Sequence, residues 1–212
     1  MPIQVFEKLM SCIRNCFDIS ENCEITLESN PGTIDKDKLF DFVSFGVNRL
    51  SVGVQSLNDE ELKFLGRRHS VKQATDLLMV AHNAGLRVSA DFIYGLPNHN
   101  VQSVIDLCQD INKLGLKHVS MYELTIEKNT PFGKMDLKMP DNETMADIYI
   151  AIGEHLNLPR YEVSNYAMPG FECRHNQNIW NGEPYIGIGR GAAGALALGM
   201  CAVNFVRIRK AR

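Results

Sequence analysis

The stretch RVSADFIYGLP, residues 87–97, decides the fold. It predicts a strand from Arg87 to Ile93, which ends where glycine and proline introduce a turn. A helical pattern precedes it at Val71–Ala84 and another follows it at Val101–Leu114. A strand set between two helices of this length is typical of a sheet whose neighbouring strands run parallel.

The same alternation extends along the chain in both directions. The predicted strands are Glu24–Glu28, Arg49–Gln55, Arg87–Ile93, Lys117–Leu124 and Tyr161–Val163. The predicted helices cover, in order, residues 6–17, 35–46, 58–66, 71–84, 101–114 and 141–157. We therefore predict an α/β fold with a mostly parallel sheet covered by helices.

Capping residues mark where the predicted helices begin. Asp35, Ser70 and Asn100 each stand just before an apolar helical pattern and can accept from the first backbone N–H groups. Asn58 followed by Glu61 fits a capping box.

Composition excludes several classes of function. The chain has 212 residues and a formal net charge of -3, so it lacks the broad basic field that nucleic acid or an anionic membrane requires. The first residues have no basic and apolar leader pattern, which indicates a cytoplasmic protein with reduced thiols. The uncharged stretch Gly191–Val203 is shorter than the roughly 20 residues of a membrane span.

Polar side chains follow successive predicted strands at their carboxyl ends. Glu28, Gln55 and Asp91 are ordinary solvated strand ends or, because parallel strands end at one edge of a sheet, members of one ligand site. Their chemistry suits a nucleoside that carries an amino acid. Glu28 can hold an ammonium group, Arg67 can hold a carboxylate in a bidentate fork, and Asp91 can accept from ribose hydroxyls.

Several blocks of the sequence resemble one known family in order and spacing. The blocks are ESNPGT (28–33), GVNRLSVGVQS (46–56), LGR (65–67), DFIYGLP (91–97), TPF (130–132), YEVSNYA (161–167), CRHN (173–176) and YIGIG (185–189). The chain thereby resembles oxygen-independent coproporphyrinogen III oxidase and its radical S-adenosylmethionine (SAM) relatives. The TPF, YEVSN and RHN blocks are more similar to the heme chaperone branch of that family.

The resemblance implies a partial (β/α)6 radical SAM barrel that lacks its first two strands, at residues 1–160. It also implies that residues 161–212 are the start of a carboxyl-terminal region with a divergent basic tail, Arg207–Arg212. SAM would lie across the strand ends, with Glu28 at the methionine ammonium and Arg67 at its carboxylate. Gln55 would line the pocket, Asp91 would bind the ribose, and Thr125 would flank the adenine.

The cysteine motif that holds a 4Fe–4S cluster in this family, C-x3-C-x2-C, is not found. Cys12 and Cys16 have the first spacing, but Cys23 follows too late. Both lie on a predicted amphipathic helix, where we expect buried structural thiols. We therefore expect no cluster on this chain alone, and we expect the chain to begin in the helix that follows the glycine-rich segment of the family.

Heme or a porphyrin is the partner that the resemblance suggests. His175 and Asn176 belong to a family block that is either a heme-binding or a structural motif. Cys173 and His175 have no second ligand pair with zinc spacing, so no metal site is predicted. No catalytic residue is assigned.

Three hypotheses of different kinds follow. The first is the family function, heme delivery or porphyrinogen oxidation, with this chain inactive alone. The second is a non-catalytic remnant, or one half of a two-chain protein whose amino-terminal half carries the cluster motif. The third is a module that binds SAM or a nucleotide without radical chemistry.

Overall fold

The computed structural model describes residues 1–189, 191–197 and 203–206. These fall into two compact units, Met1–Phe171 and Glu172–Arg212. Residues 161–171, which the sequence analysis assigned to the carboxyl-terminal region, lie within the first unit because its last strand comes from them. Cys201 and the basic tail Arg207–Arg212 lie outside the described residues.

The first unit alternates strands and helices in the predicted order. Its strands are β1 (Thr26–Ser29), β2 (Arg49–Gln55), β3 (Arg87–Tyr94), β4 (His118–Glu123) and β5 (Asn165–Ala167). Its helices are α1 (Ile3–Cys16), α2 (Lys36–Ser44), α3 (Asp59–Phe64), α4 (Val71–Asn83), α5 (Val101–Lys113) and α6 (Asn142–His155). A single 3-10 turn lies at Phe132–Lys134.

The sheet has the strand order β1-β2-β3-β4-β5. Strands β1 to β4 pair in parallel, as predicted, and β5 adds to β4 in the antiparallel direction. The four parallel strands therefore direct their carboxyl ends to one edge of the sheet. Strand β1 is at the end of the described sheet, so one of its backbone edges carries no strand.

Strand β5 was predicted too early in the chain, at Tyr161–Val163. The strand begins at Asn165 instead, because the preceding residues use their side chains to shape a turn. Tyr161 bonds His118 through its hydroxyl, and the Glu162 carboxylate accepts from the Ser164 backbone N–H. These contacts leave Asn165–Ala167 to pair with His118–Ser120.

The predicted helix caps are confirmed, with one exception. Asp35, Ser70 and Asn100 each accept a hydrogen bond from a backbone N–H in the first turn of their helix. Asn58 caps α3, but the predicted capping box is wrong. The Glu61 side chain does not return to the cap, because Ser56 and His99 bind it instead.

The core lies between one face of the sheet and the covering helices. The sheet contributes fully buried side chains such as Leu50, Val52 and Phe92, and the helices contribute residues such as Leu39 and Val104. Burial of large aliphatic and aromatic side chains stabilises a fold by about 1.5–3 kcal/mol each. This face of the sheet is therefore fixed, and the opposite face is left for polar groups.

Helix α1 packs on α2 by one side only. Phe6 and Met10 are buried, and the Phe6 ring meets the Phe42 ring edge-on with centroids 4.8 Å apart. The prediction that Cys12 and Cys16 are buried is wrong, because both are exposed. They lie on the side of the helix away from Phe6 and Met10, where the four-residue spacing places them near each other but not near the core.

The described residues of the second unit form one short helix and a strand pair. Helix α7 spans Arg174–Trp180, and β6 (Gly194–Ala197) pairs with β7 (Val203–Val206) in the antiparallel direction. Within the described part of the chain, no helix combines the length and apolar character needed to cross a membrane.

Candidate functional site

The face of the sheet opposite the helices carries polar side chains. Because side chains alternate along a strand, the residues between the buried aliphatic ones all point to this face. They include Arg49 and Ser51 on β2, Ser89 and Asp91 on β3, and His118 on β4. All of these except Asp91 are less than 10% exposed. Buried polar groups of this kind need partners.

Asp91 lies in the middle of this polar face. Ser51 donates to its carboxylate at 3.1 Å, and the neighbouring residue in the β3–β4 register is Ser120. Burial raises the pKa of Asp91, although hydrogen bonds from Ser120 and Ser51 and the charge of Arg49 oppose the rise; nearby Glu28 adds to it. A carboxylate in this situation gains stability from any further hydroxyl donor that approaches it.

Glu28 is brought next to this group by the strand register. It pairs with Ser51 across β1 and β2, and its charge acts on Asp91. Glu28 is exposed, whereas Asp91 is partly buried. The structure therefore brings two of the predicted site residues together as a pair of acids, one accessible and one sheltered.

Gln55 is held in an uncommon backbone conformation at the end of β2. Its φ is 73°, in the left-handed region that residues other than glycine rarely adopt. The β2–β3 register shifts between Val52 and Gln55, which is a β-bulge. Bulges turn the side chain that follows them. Strain of this type is concentrated at functional sites.

The absence of a side chain at Gly53 leaves room for the amides of Gln55 and Asn30. A Cβ at Gly53 would lie 2.6 Å from Gln55 Nε2 and 3.0 Å from Asn30 Oδ1. Any larger residue at Gly53 would therefore move both amides. Asn30 in turn accepts from Arg67 Nη1 at 3.3 Å.

Arg67 completes this second group of predicted residues. Its Nε is buried and has no hydrogen-bond partner among the described residues. A buried donor without a partner costs about 1–3 kcal/mol. A carboxylate bound in the guanidinium fork would relieve that cost. The donor and acceptor set of Glu28, Arg67, Gln55 and Asp91 therefore fits an amino-acid zwitterion joined to a ribose.

The remaining predicted residues are less closely connected. Thr125 is exposed and follows the end of β4, at the same edge of the sheet as the others. His175 is exposed and Asn176 is partly buried on α7, in the second unit. The His175 ring lies edge-on to the Tyr185 ring, with centroids 6.2 Å apart.

A partly buried hydrogen-bond network supports the end of β2. Ser56, directly after Gln55, donates to Glu61, and His99 Nε2 lies 3.1 Å from the same carboxylate. Burial alone would raise the pKa of Glu61, but the bonds from His99 and Ser56 hold it below its ordinary value of 4.5. Through Glu61, the network connects Ser56 at the end of β2 with His99 in the loop after β3, and so it holds the ends of both strands in place.

A second network lies deeper on the polar face. Ser89 Oγ is 2.7 Å from His118 Nδ1, and His118 Nε2 is 2.8 Å from the Tyr161 hydroxyl. Burial and the charges of Arg49 and Arg87 lower the pKa of His118 to about 3. The imidazole is therefore neutral near pH 7, and it serves the structure without charging the polar face.

The described residues do not fit a 4Fe–4S cluster. They contain no group of three or more His, Cys, Asp or Glu side chains that could hold a metal ion. Cys108 and Cys173 are buried. Cys12 and Cys16 are exposed on α1, and among the described residues no third ligand side chain lies beside them. Thiolates from at least three cysteines are the usual ligands of such a cluster, so no step of a mechanism is assigned to one here.

Sequence reasoning missed the residues that position the site. Asn30, Ser51 and Gly53 all lie within the quoted family blocks, but nothing in their local pattern separates a positioning role from a turn or strand role. The link from Ser56 through Glu61 to His99 spans more than 40 residues. Only the folded structure brings its members together.

The fold defines a class of protein: a segment of a parallel α/β barrel with polar side chains towards the carboxyl ends of its strands. The profile of the radical SAM superfamily matches residues 3–111. The chain therefore belongs to the radical SAM superfamily, and the resemblance noted from its sequence is confirmed.

The similar proteins include two heme chaperones and a mitochondrial radical SAM domain protein. The chain is 38% identical to heme chaperone HemW of Haemophilus influenzae over 192 residues, which is 89% of this chain and 50% of that protein. For HemW of Escherichia coli the identity is also 38%, covering 89% and 51%. Radical S-adenosyl methionine domain-containing protein 1, mitochondrial, of Danio rerio is 37% identical, covering 84% and 42%. The chain thus spans about half the length of these relatives.

A solved structure confirms the fold class. Coproporphyrinogen III oxidase (HemN) from Escherichia coli, described as a radical SAM enzyme, superposes with a TM-score of 0.76 at 23% identity. The match covers 92% of this chain and 49% of that one. The predicted partial radical SAM barrel is therefore correct.

The low pKa of Glu61 predicts a specific loss of stability in acid. A carboxyl group whose pKa is lower in the folded state stabilises the fold above its unfolded pKa and loses that contribution as pH falls through the folded pKa. We expect Glu61→Gln to lower the urea midpoint at pH 6 and to flatten its decline below about pH 4.5. Urea unfolding of both proteins from pH 6 down to about pH 3 measures the difference.

The matched control is Glu60→Gln, because Glu60 is adjacent and its side chain is 84% exposed. It should follow the wild-type curve within about 0.5 kcal/mol. Parallel curves for Glu61→Gln and wild type across this pH range would contradict the assigned role of Glu61.

Proposed function

We propose that this chain supplies the SAM-binding strand ends of a radical SAM protein that handles heme or a related porphyrin, and that it is inactive without a cluster-bearing segment. Two sets of side chains on the polar face and at the end of β2 carry the proposal: Glu28 beside Asp91, and Gln55 with Asn30 and Arg67. The heme part of the proposal rests on the named function of the HemW relatives.

Each residue has a defined task in this proposal. Glu28, accessible at the sheet edge, receives the methionine ammonium group. Arg67 receives the carboxylate through its unpaired donor. Asp91 accepts from the ribose hydroxyls, which favours its ionised form against burial. Gln55 lines the pocket in the orientation set by the bulge, and backbone atoms around Thr125 flank the adenine.

The chemistry itself would come from the cofactor. In radical SAM proteins, SAM bound beside a 4Fe–4S cluster supplies the radical, and the protein binds and orients it. The role of the residues in this chain would be to bind and orient SAM. The described residues include no set of side chains that could hold the cluster. We therefore place the cluster-binding thiolates on a separate amino-terminal segment or chain.

Two features favour a second candidate role, in which the chain is one half of a two-part assembly. They are the outer edge of β1, which carries no strand among the described residues, and the exposed side of α1. The free edge of β1 carries unpaired backbone groups that a further parallel strand could bond. Along α1, the side away from α2 exposes apolar or weakly polar side chains, which are Val5, Leu9, Cys12 and Cys16. A strand followed by a helix would cover both features at once, and its strand would lie next to Glu28.

The remnant and simple-binder hypotheses stay as alternatives. A remnant would keep the fold but not the affinity for SAM. A simple binder would keep the affinity but would gain neither a cluster nor activity from a second segment. Titration of the chain with SAM separates the remnant, which would not bind, from the other two.

Arg67→Gln tests the SAM site directly. Loss of a charge-assisted hydrogen bond of about 1.5–3 kcal/mol should weaken SAM binding roughly tenfold or more. Isothermal titration of the purified chain with SAM measures this. The adjacent Arg68→Gln, at an exposed position, should leave the affinity unchanged. Equal effects of the two substitutions, or no wild-type binding at millimolar SAM, would contradict the proposal.

His175→Ala tests the heme motif. If His175 is an axial ligand, the substitution should abolish the Soret shift that hemin produces on titration into the chain, and added imidazole should restore it. His155→Ala is the control, because His155 is engaged with the Ala151 carbonyl within α6. An unchanged Soret band, or a loss that imidazole does not repair, would support a structural role for the motif.

The exposed stripe of α1 predicts self-association of the isolated chain. We expect Leu9→Glu to increase the monomer fraction measured by light scattering, because the charge disrupts apolar contact between copies. Ile150→Glu, at an exposed position of α6, should have little effect. A sharp monomeric peak with cooperative unfolding for the unmodified chain would count against an incomplete assembly.

A further inference from the structure

A cavity of about 530 Å³ lies at the opposite end of the sheet from the SAM site. It is formed by the end of α4, the start of β3, the connection from α5 to β4, and Phe171. We call it the basic cavity. Its volume is within the range of 300–1,000 Å³ typical of small-molecule sites. All of its lining residues belong to the first unit.

The wall of the basic cavity is aliphatic. Leu78 and Leu86 belong to the buried core, and Leu114, Leu116 and Val88 are partly buried against it. Met79, which is 62% exposed, stands at the rim. A ligand inside the cavity would therefore cover apolar side chains, at about 25 cal/mol per Å² removed from water.

The ionisable side chains that line the basic cavity are all bases. Arg87, Lys113, Lys117 and His82 line it, and no acid is among its lining residues. Two of these bases have acidic neighbours outside the cavity: Arg87 lies 3.6 Å from Glu24, and Lys113 lies 2.6 Å from Asp110. Lys117 Nζ lies 4.5 Å from the centre of the Phe171 ring, and the Arg87 guanidinium lies 5.4 Å from the same ring centre.

Helix ends offer a simpler reason for basic residues here, because α4 and α5 both end at the cavity and helix carboxyl ends attract cations. Backbone groups already satisfy several of the terminal carbonyls, however. Gly85 and Leu86 N–H donate to carbonyls of α4, and Leu114 and Gly115 N–H donate to carbonyls of α5. Lys117 lies beyond both helices, on the far side of Gly115, so capping does not explain its position against Phe171.

We propose that the basic cavity binds a small organic anion with an aliphatic body and a terminal carboxylate. The body would lie on the leucine wall, and the carboxylate would meet the Lys117 ammonium beside the Phe171 ring. The flexible stem of Lys117 allows the ammonium to leave the ring face and reach a carboxylate at the rim. This site does not depend on the proposed function, because it shares no residue with the SAM site.

The test pairs a charged probe with an uncharged probe of the same chain length, decanoate and decanol. Decanoate should bind saturably to the full chain by isothermal titration. Backbone amide shifts of Gly85 and Gly115 in NMR spectra should report its location. Lys117→Gln should weaken decanoate about threefold to fivefold, as expected for a partly exposed ion pair, and leave decanol unchanged.

Two further variants make the result decisive. Met79→Glu places an acid at an exposed rim position, so the fold should persist while decanoate affinity falls more than decanol affinity. Lys72→Gln, on α4 but outside the cavity and paired with Asp76, should change neither. Absence of saturable decanoate binding, equal effects of Lys117→Gln on both probes, or shifts confined to α1 would overturn the proposal. SAM should not compete, whether or not SAM itself binds.

Discussion

The parallel pairing of β2 with β3 is the constraint on which the site depends. It aligns Ser51 with Ser89 and brings Asp91 within hydrogen-bond distance of the Ser51 hydroxyl. The same pairing contains the bulge that turns Gln55 at the strand end. A slip of one residue would exchange the two faces of a strand and place Asp91 in the aliphatic core. The buried Val52, Phe92 and Ala90 prevent that slip, so the packing of one face sets the chemistry of the other.

The polar face divides into a rigid base and an accessible edge. Near the base, Ser89, neutral His118 and Tyr161 satisfy one another. Nearer the carboxyl ends of the strands, Asp91 can accept from a further donor and Arg67 Nε can donate to a carboxylate. This difference is what separates a structural network from a ligand site, because only groups with unmet hydrogen bonds gain from a new partner. The basic cavity differs from the structural network and from the candidate ligand site, because most of its lining is apolar and its ionisable side chains are all bases.

Local patterns predicted most of the first unit. The caps at Asp35, Ser70 and Asn100 and the span Arg49–Gln55 were correct because short-range chemistry determines them. The failures share a different cause. In each case a contact with a residue distant in the sequence decides the outcome. Glu61 bonds His99 and not its helix cap, and Tyr161 bonds His118, so that β5 begins later. The thiols of α1 are exposed because α2 packs on only one side of that helix. The positive φ of Gln55 was also beyond prediction, because it follows from the bulge against β3 and not from its own residue type.

A crystal structure of the chain with S-adenosylhomocysteine tests most directly whether Glu28, Gln55, Arg67 and Asp91 form one SAM site. We expect ligand density at the carboxyl ends of β1 to β3. The ligand carboxylate should lie in the Arg67 fork, the ammonium at Glu28 and the ribose hydroxyls at Asp91. Ligand bound elsewhere, or an edge that stays empty at saturating ligand while the fold is intact, would contradict it.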